Sequence, residues 1–363
     1  MNLNWSEATA PSNIALIKYM GKLQDPTANQ SANSSLSWTL DHLKTRVRVR
    51  WEEGHAVKHL WRPWSDPMPD STWHTPVLSE AGKERYLRHA DRCLARIGEH
   101  QNTNMRLKPG SAPNGTLVVE SANGFPSDCG LASSASSFAA LTLSIAKLLD
   151  FDTENLSNRI WLAALSREGS GSSCRSLFSP WAIWNHDGAS PVEGLPGSKD
   201  IRHIAIIVDE KKKSVSSSEA HVRVTSSALF KGRIERAEER LRIVVDSLKR
   251  SKSSTDGVSA WNRAANTVWA ESWDMHALFE TSNPPFGYYV PETVTVLNML
   301  REVSEHAHKA GNRMPIVTMD AGPNVHVLFW RDDAGDQAIE TLKLLLVSHS
   351  TIRIIDSDGM KSL

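Results

Sequence analysis

Six short polar stretches carry the residue types that handle anions and protons: Lys18-Tyr19 with Lys22, Asn33–Ser35, Ser133-Ser134, Ser170–Ser176 around Arg175, Ser216–Ser218, and Asp320. A lysine ammonium is a compact charge, and a guanidinium is a planar two-pronged donor matched to carboxylate or phosphate. Asp320 lies on an Asp-Ala-Gly-Pro-Asn turn. A carboxylate so placed can take a proton from a substrate hydroxyl, or bond the backbone N–H groups of its own turn. Each stretch also has a structural explanation by itself: solvated lysines at a strand end, a Gly/Ser linker, a polar turn. Six of them at the ends of apolar segments fit one shared cleft better than six accidents.

The stretch Pro126-Ser-Asp-Cys-Gly-Leu-Ala-Ser-Ser-Ala135 stands between a short apolar run, 116–121, and a helical run to Leu149. A loop entering a helix N-terminus gathers unbonded N–H groups and the positive end of the helix dipole. Small residues there let a phosphate approach the backbone. The same ten residues also read as an ordinary strand–loop–helix joint with small residues for packing, and both readings stand at this level.

The elements that must position these groups follow from periodicity. Ile14 and Leu16 mark a buried strand running to Gly21, with Lys18 at its end. Thr45–Trp51 alternates, which predicts a strand with one wet face. Residues 62–78 hold four prolines and predict an excursion. Leu87, Ala90, Leu94 and Ile97 recur at helical spacing. A short helix at Trp161–Leu165 leads into Gly169–Ser176, read as a flexible donor-rich loop. Pro191–Lys199 is the best boundary, dividing the chain into 1–192 and 193–363. Beyond it come a buried strand at 203–208, the solvated run Lys211–Lys213, and a helix with the stripe Ile234, Ala237, Leu241, Val244, Val245 and Leu248. Pro291 starts a further helix, strands follow at 315–319 and 325–329, and a last helix spans 336–347. Strands and helices mix without strict alternation, so the class is α+β.

Composition narrows the function. With 41 basic and 41 acidic residues, no net field favours nucleic acid or membrane. Three scattered cysteines make neither a disulfide framework nor a CxxC metal site, so a reduced cytoplasmic setting is expected. No apolar run reaches the roughly 20 residues that span a bilayer, and the first residues lack a signal pattern. GxxxxGK[ST], complete GxGxxG, HExxH and GxSxG are all absent.

From Ala10 to Asn324 the polar stretches resemble, in order, those of the ATP-dependent diphosphomevalonate decarboxylases of the GHMP kinase superfamily. Ala10–Lys22 is similar to APxNIAxxKYWGK, Asn33–Leu40 to NSSxSxTL, and Pro126–Ala135 to the phosphate loop PTAAGLASSA. Gly169–Ser176 is similar to GSGSACRS, Val215–Ser218 to VSST, and Thr318–Asn324 to TxDAGPN.

The resemblance implies a GHMP kinase fold: an N-terminal ribosomal protein S5 domain 2-like lobe, a C-terminal ferredoxin-like lobe, a cleft between them, and commonly a homodimer. It implies decarboxylation of (R)-5-diphosphomevalonate to isopentenyl diphosphate, with ATP and Mg2+ as cofactors. A kinase that stops at phosphorylation and a non-catalytic nucleotide-binding homologue are the alternatives. By resemblance Asp320, Arg175 and Lys18 are catalytic, Arg175 holding the substrate carboxylate near Asp320. Tyr19, Lys22, Ser170, Ser172 and Ser217 bind substrate. Gly130, Leu131, Ala132, Ser133 and Ser134 bind ATP, with Ser133 or Ser134 meeting Mg2+ through the phosphates. The chain departs from the pattern at Met20, where tryptophan is usual, and at Asp128-Cys129, where the loop has Ala-Ala. It departs again at Ala220-His221, in place of Gly-Met, which adds a possible cation for phosphate.

Overall fold

The computed structural model describes residues 4–21, 29–53, 58–64, 73, 76–101, 115–125, 131, 133–210, 214–349 and 351–359. Strand β1 (Ser6–Ile17) runs antiparallel to β2 (Ser35–Glu53). The alternating Thr45–Trp51 segment is the later part of this 19-residue strand. Its length lets β2 pair with β1 along one edge and with two strands along the other. These are β4 (Gly115–Asn123) in its second half and β5 (Trp181–Asn185) at its start. The short β3 (Leu60–Pro63) lies parallel to β4, and β6 (Gly188–Pro191) antiparallel to β5.

Helices α1 (Glu80–His100), α2 (Ser133–Leu148) and α3 (Leu156–Gly169) pack on this sheet through Val47, Val49, Leu94, Leu141, Ile145 and Leu162. The stripe Ala90, Leu94 and Ile97 is buried as the periodicity requires. Helix α2 is buried almost all round. Its Thr142 and Ser144 hydroxyls bond the carbonyls of Phe138 and Ala140, so they enter the core satisfied.

The second sheet has the order β10-β7-β9-β8, all antiparallel, from β7 (Ile201–Ile207), β8 (Ile316–Thr318), β9 (Val325–Trp330) and β10 (Arg353–Asp356). Successive side chains of a strand point to opposite faces, and both faces of β7 are apolar. Ile204 and Ile206 pack towards α7 (Pro291–Lys309) and α8 (Asp333–Leu346). Ala205 and Ile207 pack with residues of α5 (Arg233–Arg250) and α6 (Gly257–Glu280). That second cluster also takes in Ile14, Leu16 and Leu36 from β1 and β2, so one continuous apolar core joins the two sheets. A short α4 (Ser217–Arg223) packs its buried Ala220 in a cluster with Met20 and Met275.

Several expectations need correction. Strand β1 ends at Ile17, and Lys18–Gly21 leave it. The segment Gly169–Ser176 is not a flexible loop: Gly171–Leu177 forms a 3-10 turn with Ser173–Leu177 buried. Ile234 is 37% exposed and stands outside the stripe of α5. The sequence pattern marks neither helix α6 nor strand β10. In α6, Trp261, Ala264 and Val268 face one cluster while Trp269 and Trp273 pack against another. Burial on two sides blurs the single apolar stripe that marks a surface helix.

Candidate active site

A cleft of 310 Å³ is lined by Lys18, Tyr19, Ser133, Ser134, Ser170, Ser172, Arg175, Ser217 and Asp320. Met20, Arg85, Ser216, Ser218, His221 and Met275 share the wall. Leu131 stands apart: its side chain is buried in the core that joins the sheets, and its carbonyl accepts from Ser12 Oγ. Lys22, Gly130, Ala132, Asp128, Cys129 and Lys211–Lys213 lie outside the described residues.

The centre of the cleft is an ion pair. Lys18 Nζ stands 2.8 Å from Asp320 Oδ1 and donates also to the carbonyl of Ala15 at 2.6 Å. Lys18 is 1% exposed while Asp320 keeps 26% of its side chain open to the cleft. Burial alone would raise the Asp320 pKa, but the adjacent ammonium outweighs it and holds the carboxyl below its ordinary value. Burial also lowers the Lys18 pKa, which Asp320 only partly restores.

Both partners are held by their backbones. The N–H of Lys18 donates to Glu271 Oε1 at 2.9 Å. The carbonyl of Lys18 accepts from Asn33 Nδ2 at 2.9 Å and from Arg233 Nη2 at 3.3 Å. Arg233 and Glu271 are themselves an ion pair, both fully buried. On the other side, Thr318 Oγ1 donates to the carbonyl of Ala15 at 3.1 Å, tying β8 to β1. The turn after Asp320 is closed by Asn324, whose Oδ1 accepts from the N–H groups of Val208 and Asp209. Thr293 Oγ1 bonds the carbonyl of Pro323 at 2.8 Å. His276 bonds the backbone of Asp320, and burial, reinforced by Lys18, lowers its pKa to about 3, so the ring stays neutral.

Arg175 reaches the cleft from the 3-10 turn. It is 3% exposed, donates from Nε to Asn13 Oδ1 at 3.3 Å and from Nη1 to Ser35 Oγ at 2.9 Å, and lies over the Trp184 ring. Asn13 also donates to Ser176 Oγ at 2.8 Å, so β1 and the turn are locked together. Among the described residues Arg175 forms no ion pair with a carboxylate. A buried charge without a counter-charge is costly. A guanidinium held that way by neutral acceptors beside a cleft is prepared to receive an anion.

Tyr19 packs on Trp184 and His221, with centroids 4.6 and 4.0 Å away. Its hydroxyl is buried and has no hydrogen-bond partner among the described residues. Gly171 makes room for it: a Cβ there would stand 3.1 Å from Tyr19 Cε1 and 3.3 Å from its hydroxyl. Ser133 and Ser134 open α2, where N–H groups lack intrahelical partners and the dipole favours negative charge. Their hydroxyls are hard oxygen donors of the kind Mg2+ accepts.

Residues 10–192 match the diphosphomevalonate decarboxylase-like N-terminal domain, and residues 203–360 the mevalonate 5-diphosphate decarboxylase C-terminal domain. The chain belongs to the diphosphomevalonate decarboxylase family. It is similar to the diphosphomevalonate decarboxylase of Debaryomyces hansenii, at 31% identity over 348 residues, covering 92% of this chain and 81% of that protein. A solved mevalonate diphosphate decarboxylase from Legionella pneumophila is 34% identical, with a TM-score of 0.76 over 97% of this chain and 100% of that one. Another solved structure, MDDEF in complex with MVAPP, AMPPCP and magnesium, is 25% identical, with a TM-score of 0.71 over 97% and 99% of the two chains. The two-lobed GHMP kinase architecture expected from the sequence is therefore the fold of this family member.

The family resemblance assigned no role to Asn13, Arg85, Arg233, Glu271 or His276. Arg85 lines the cleft and bonds the carbonyl of Gly169. The others act on backbones or on Arg175. Nothing in local spacing distinguishes Glu271 from other helix carboxylates; only its contact with Lys18, 253 positions away, does so.

Proposed function

We propose that this chain decarboxylates (R)-5-diphosphomevalonate to isopentenyl diphosphate, consuming ATP and releasing ADP, phosphate and CO2. The observation that carries this reading is Arg175, a buried guanidinium with no contact ion pair among the described residues, sharing a cleft with the Lys18–Asp320 pair. A 3-hydroxy acid offers the two groups this cleft lacks: an anion for Arg175 and a hydroxyl proton for Asp320.

In this mechanism Arg175 holds the substrate carboxylate and Asp320, ionised beside Lys18, accepts the proton of the tertiary hydroxyl. The hydroxyl oxygen takes the terminal phosphoryl group of ATP and ADP leaves. Phosphate then departs with the C–O electron pair. The electrons of the bond to the carboxylate become the alkene as CO2 is lost. Lys18 offsets negative charge on Asp320 and its surroundings. Tyr19, Lys22, Ser170, Ser172 and Ser217 orient the substrate and its diphosphate. Gly130, Ala132, Ser133 and Ser134 would hold ATP, Leu131 contributing only its backbone N–H, and a serine hydroxyl would serve as a ligand for Mg2+. When bound, Mg2+ supplies charge neutralisation for phosphoryl transfer.

The lobes are assigned as residues 1–192 and 193–363, supported by the proline- and glycine-rich segment between β6 and β7. No described helix is long and apolar enough to cross a membrane. A cytoplasmic homodimer is the assembly that the resemblance supports, and light scattering of the purified protein tests the dimer. A single-turnover reaction with diphosphomevalonate tests the function. Equal yields of ADP, phosphate and CO2 are expected; ADP without CO2 would leave a kinase.

A further inference from the structure

Among the described residues that line the cleft, the aliphatic side chains are Ala15, Met20, Met275 and Ala321. Three of these four meet in one apolar cluster. Met20 and Met275 belong to it, with Leu278 and Phe279, and Ala321 packs against it. Ala321 directly follows Asp320. The cluster therefore opens into the cleft beside the candidate base. Met20 is 3% exposed and Met275 2%, so they form a floor rather than a rim. The backbone at its edge is fixed: Gly21, with a φ of +88°, donates its N–H to His221 Nδ1 at 3.2 Å.

A tertiary carbinol carbon carries four groups. In the functional reading above, its hydroxyl meets Asp320, its carboxylate arm meets Arg175, and its diphosphate arm meets Tyr19, Lys22 and the serines. The remaining alkyl group needs an apolar surface, and the one next to Asp320 is the floor of Met20, Met275 and Ala321. Methionine is unbranched and turns about three side-chain bonds, so it yields to shape where a ring does not. Met20 stands where the family pattern has tryptophan, which makes this floor more yielding than the pattern would.

We propose that Met20 and Met275 are specificity-determining residues that form a yielding seat for the alkyl group on the reacting carbon, and that the enzyme also decarboxylates the homologue with ethyl in place of methyl there. This inference rests on the functional reading. The homologue reacts by the same steps. Its hydroxyl proton goes to Asp320, its hydroxyl oxygen takes the terminal phosphoryl group of ATP, and phosphate leaves with the C–O electron pair. Loss of CO2 then gives the ethyl-bearing alkene diphosphate. An extra methylene gains apolar contact when the side chains beneath it can move aside, and is rejected when they cannot.

The test measures kcat/KM for 5-diphosphomevalonate and for its 3-ethyl homologue in wild type, Met20→Trp and Met20→Phe. Wild type is expected to favour methyl over ethyl by no more than about tenfold, the low end of discrimination by one methylene. Met20→Trp is expected to widen that preference by about a further tenfold, and Met20→Phe, with a smaller ring, by less. A merely structural role would lower both substrates alike. A wild-type preference beyond about a hundredfold overturns the inference, and so does a preference that both variants leave unchanged. Met275→Phe narrows the seat from α6 and is expected to act in the same sense; an unchanged preference there overturns the part given to Met275. Calorimetric titration of the two diphosphates without ATP reads the seat apart from turnover. A greater loss of affinity for the ethyl homologue than for the methyl compound in Met20→Trp supports the seat. Equal losses overturn it, as does failure of wild type to bind the homologue. If wild type binds diphosphomevalonate without turning it over, the functional reading falls, and the titrations still decide the role of Met20.

Discussion

Glu271 accepts the backbone N–H of Lys18 at 2.9 Å, and the Lys18 side chain then reaches Asp320 at 2.8 Å. A carboxylate buried on α6 thereby sets the position of the ammonium that tunes the candidate base. Arg233, paired with Glu271, bonds the carbonyl of the same lysine, so the residue is gripped at both ends of its backbone.

Removing one member of this grip costs stability before it costs chemistry. Glu271→Ala leaves Arg233 buried and without its strongest partner, which typically destabilises by about 3–5 kcal/mol. A fall in the unfolding midpoint in denaturant is the expected result. The paired change of Arg233 and Glu271 to methionine removes both charges and is expected to lose less than Glu271→Ala alone. A double variant less stable than the single would contradict the idea of an uncompensated charge.

The pH dependence of kcat/KM tests the Lys18–Asp320 pair. The Asp320 pKa is held below its ordinary value, so the active carboxylate form persists above that depressed pKa and is lost only as pH falls through it. The acid limb of wild type belongs below the ordinary carboxylate range of about 3.9. Lys18→Met removes the largest influence that lowers the pKa, so burial is then opposed only by the weaker influences of His326 and Arg175, moving the acid limb upward along with a loss of rate. An acid limb that stays in place would detach Lys18 from the ionisation of Asp320.

Asp320→Asn retains the shape of the side chain and removes the proton acceptor. Turnover is expected to fall about a thousandfold, within the span of general-base contributions. ATP affinity, read by calorimetry, is expected to stay within about twofold, an estimate that assumes the serine groups at the start of α2 still hold the phosphates. Near-normal CO2 release by the variant would remove Asp320 from the mechanism.

Arg175 separates stability from function. It is a buried charge held by Asn13 and Ser35 without an ion pair among the described residues. Arg175→Gln removes a buried charge that has no contact ion pair among the described residues, so its thermal midpoint is expected to stay near wild type or rise, while kcat/KM falls by at least about a hundredfold. A large loss of stability with retained activity would make Arg175 a structural residue.

Gly171→Ala tests the space around Tyr19. The added Cβ would meet the ring at 3.1 Å and the hydroxyl at 3.3 Å, so the ring must shift. The expected outcome is a several-fold rise in KM for diphosphomevalonate with little change in the unfolding midpoint. An unchanged KM would show that the ring position is immaterial to binding.

Much of this was legible in the chain itself. The alternation of Thr45–Trp51, the stripe of α1 and the proline at the head of α7 each marked an element, because local sterics and burial act at fixed periods. Residue type marked Lys18, Arg175 and Asp320, since only such groups hold anions or move protons, and the order of the polar stretches pointed to their family. What local period could not convey was contact across distance. Helix α6 is apolar on two sides because it lies between two clusters, and its Glu271 matters only because folding brings it to Lys18. The donor-rich Gly169–Ser176 segment has the composition of a flexible linker, yet Asn13 and Ser166 pin its side chains. The residue type of His221 says nothing of its neighbour, yet its ring accepts the backbone N–H of Gly21, 200 positions away. The sequence by itself determined which groups this protein has and what they can do. Tertiary structure alone decided how they are charged and where they point, because protonation and orientation follow from neighbours that the chain order does not place side by side.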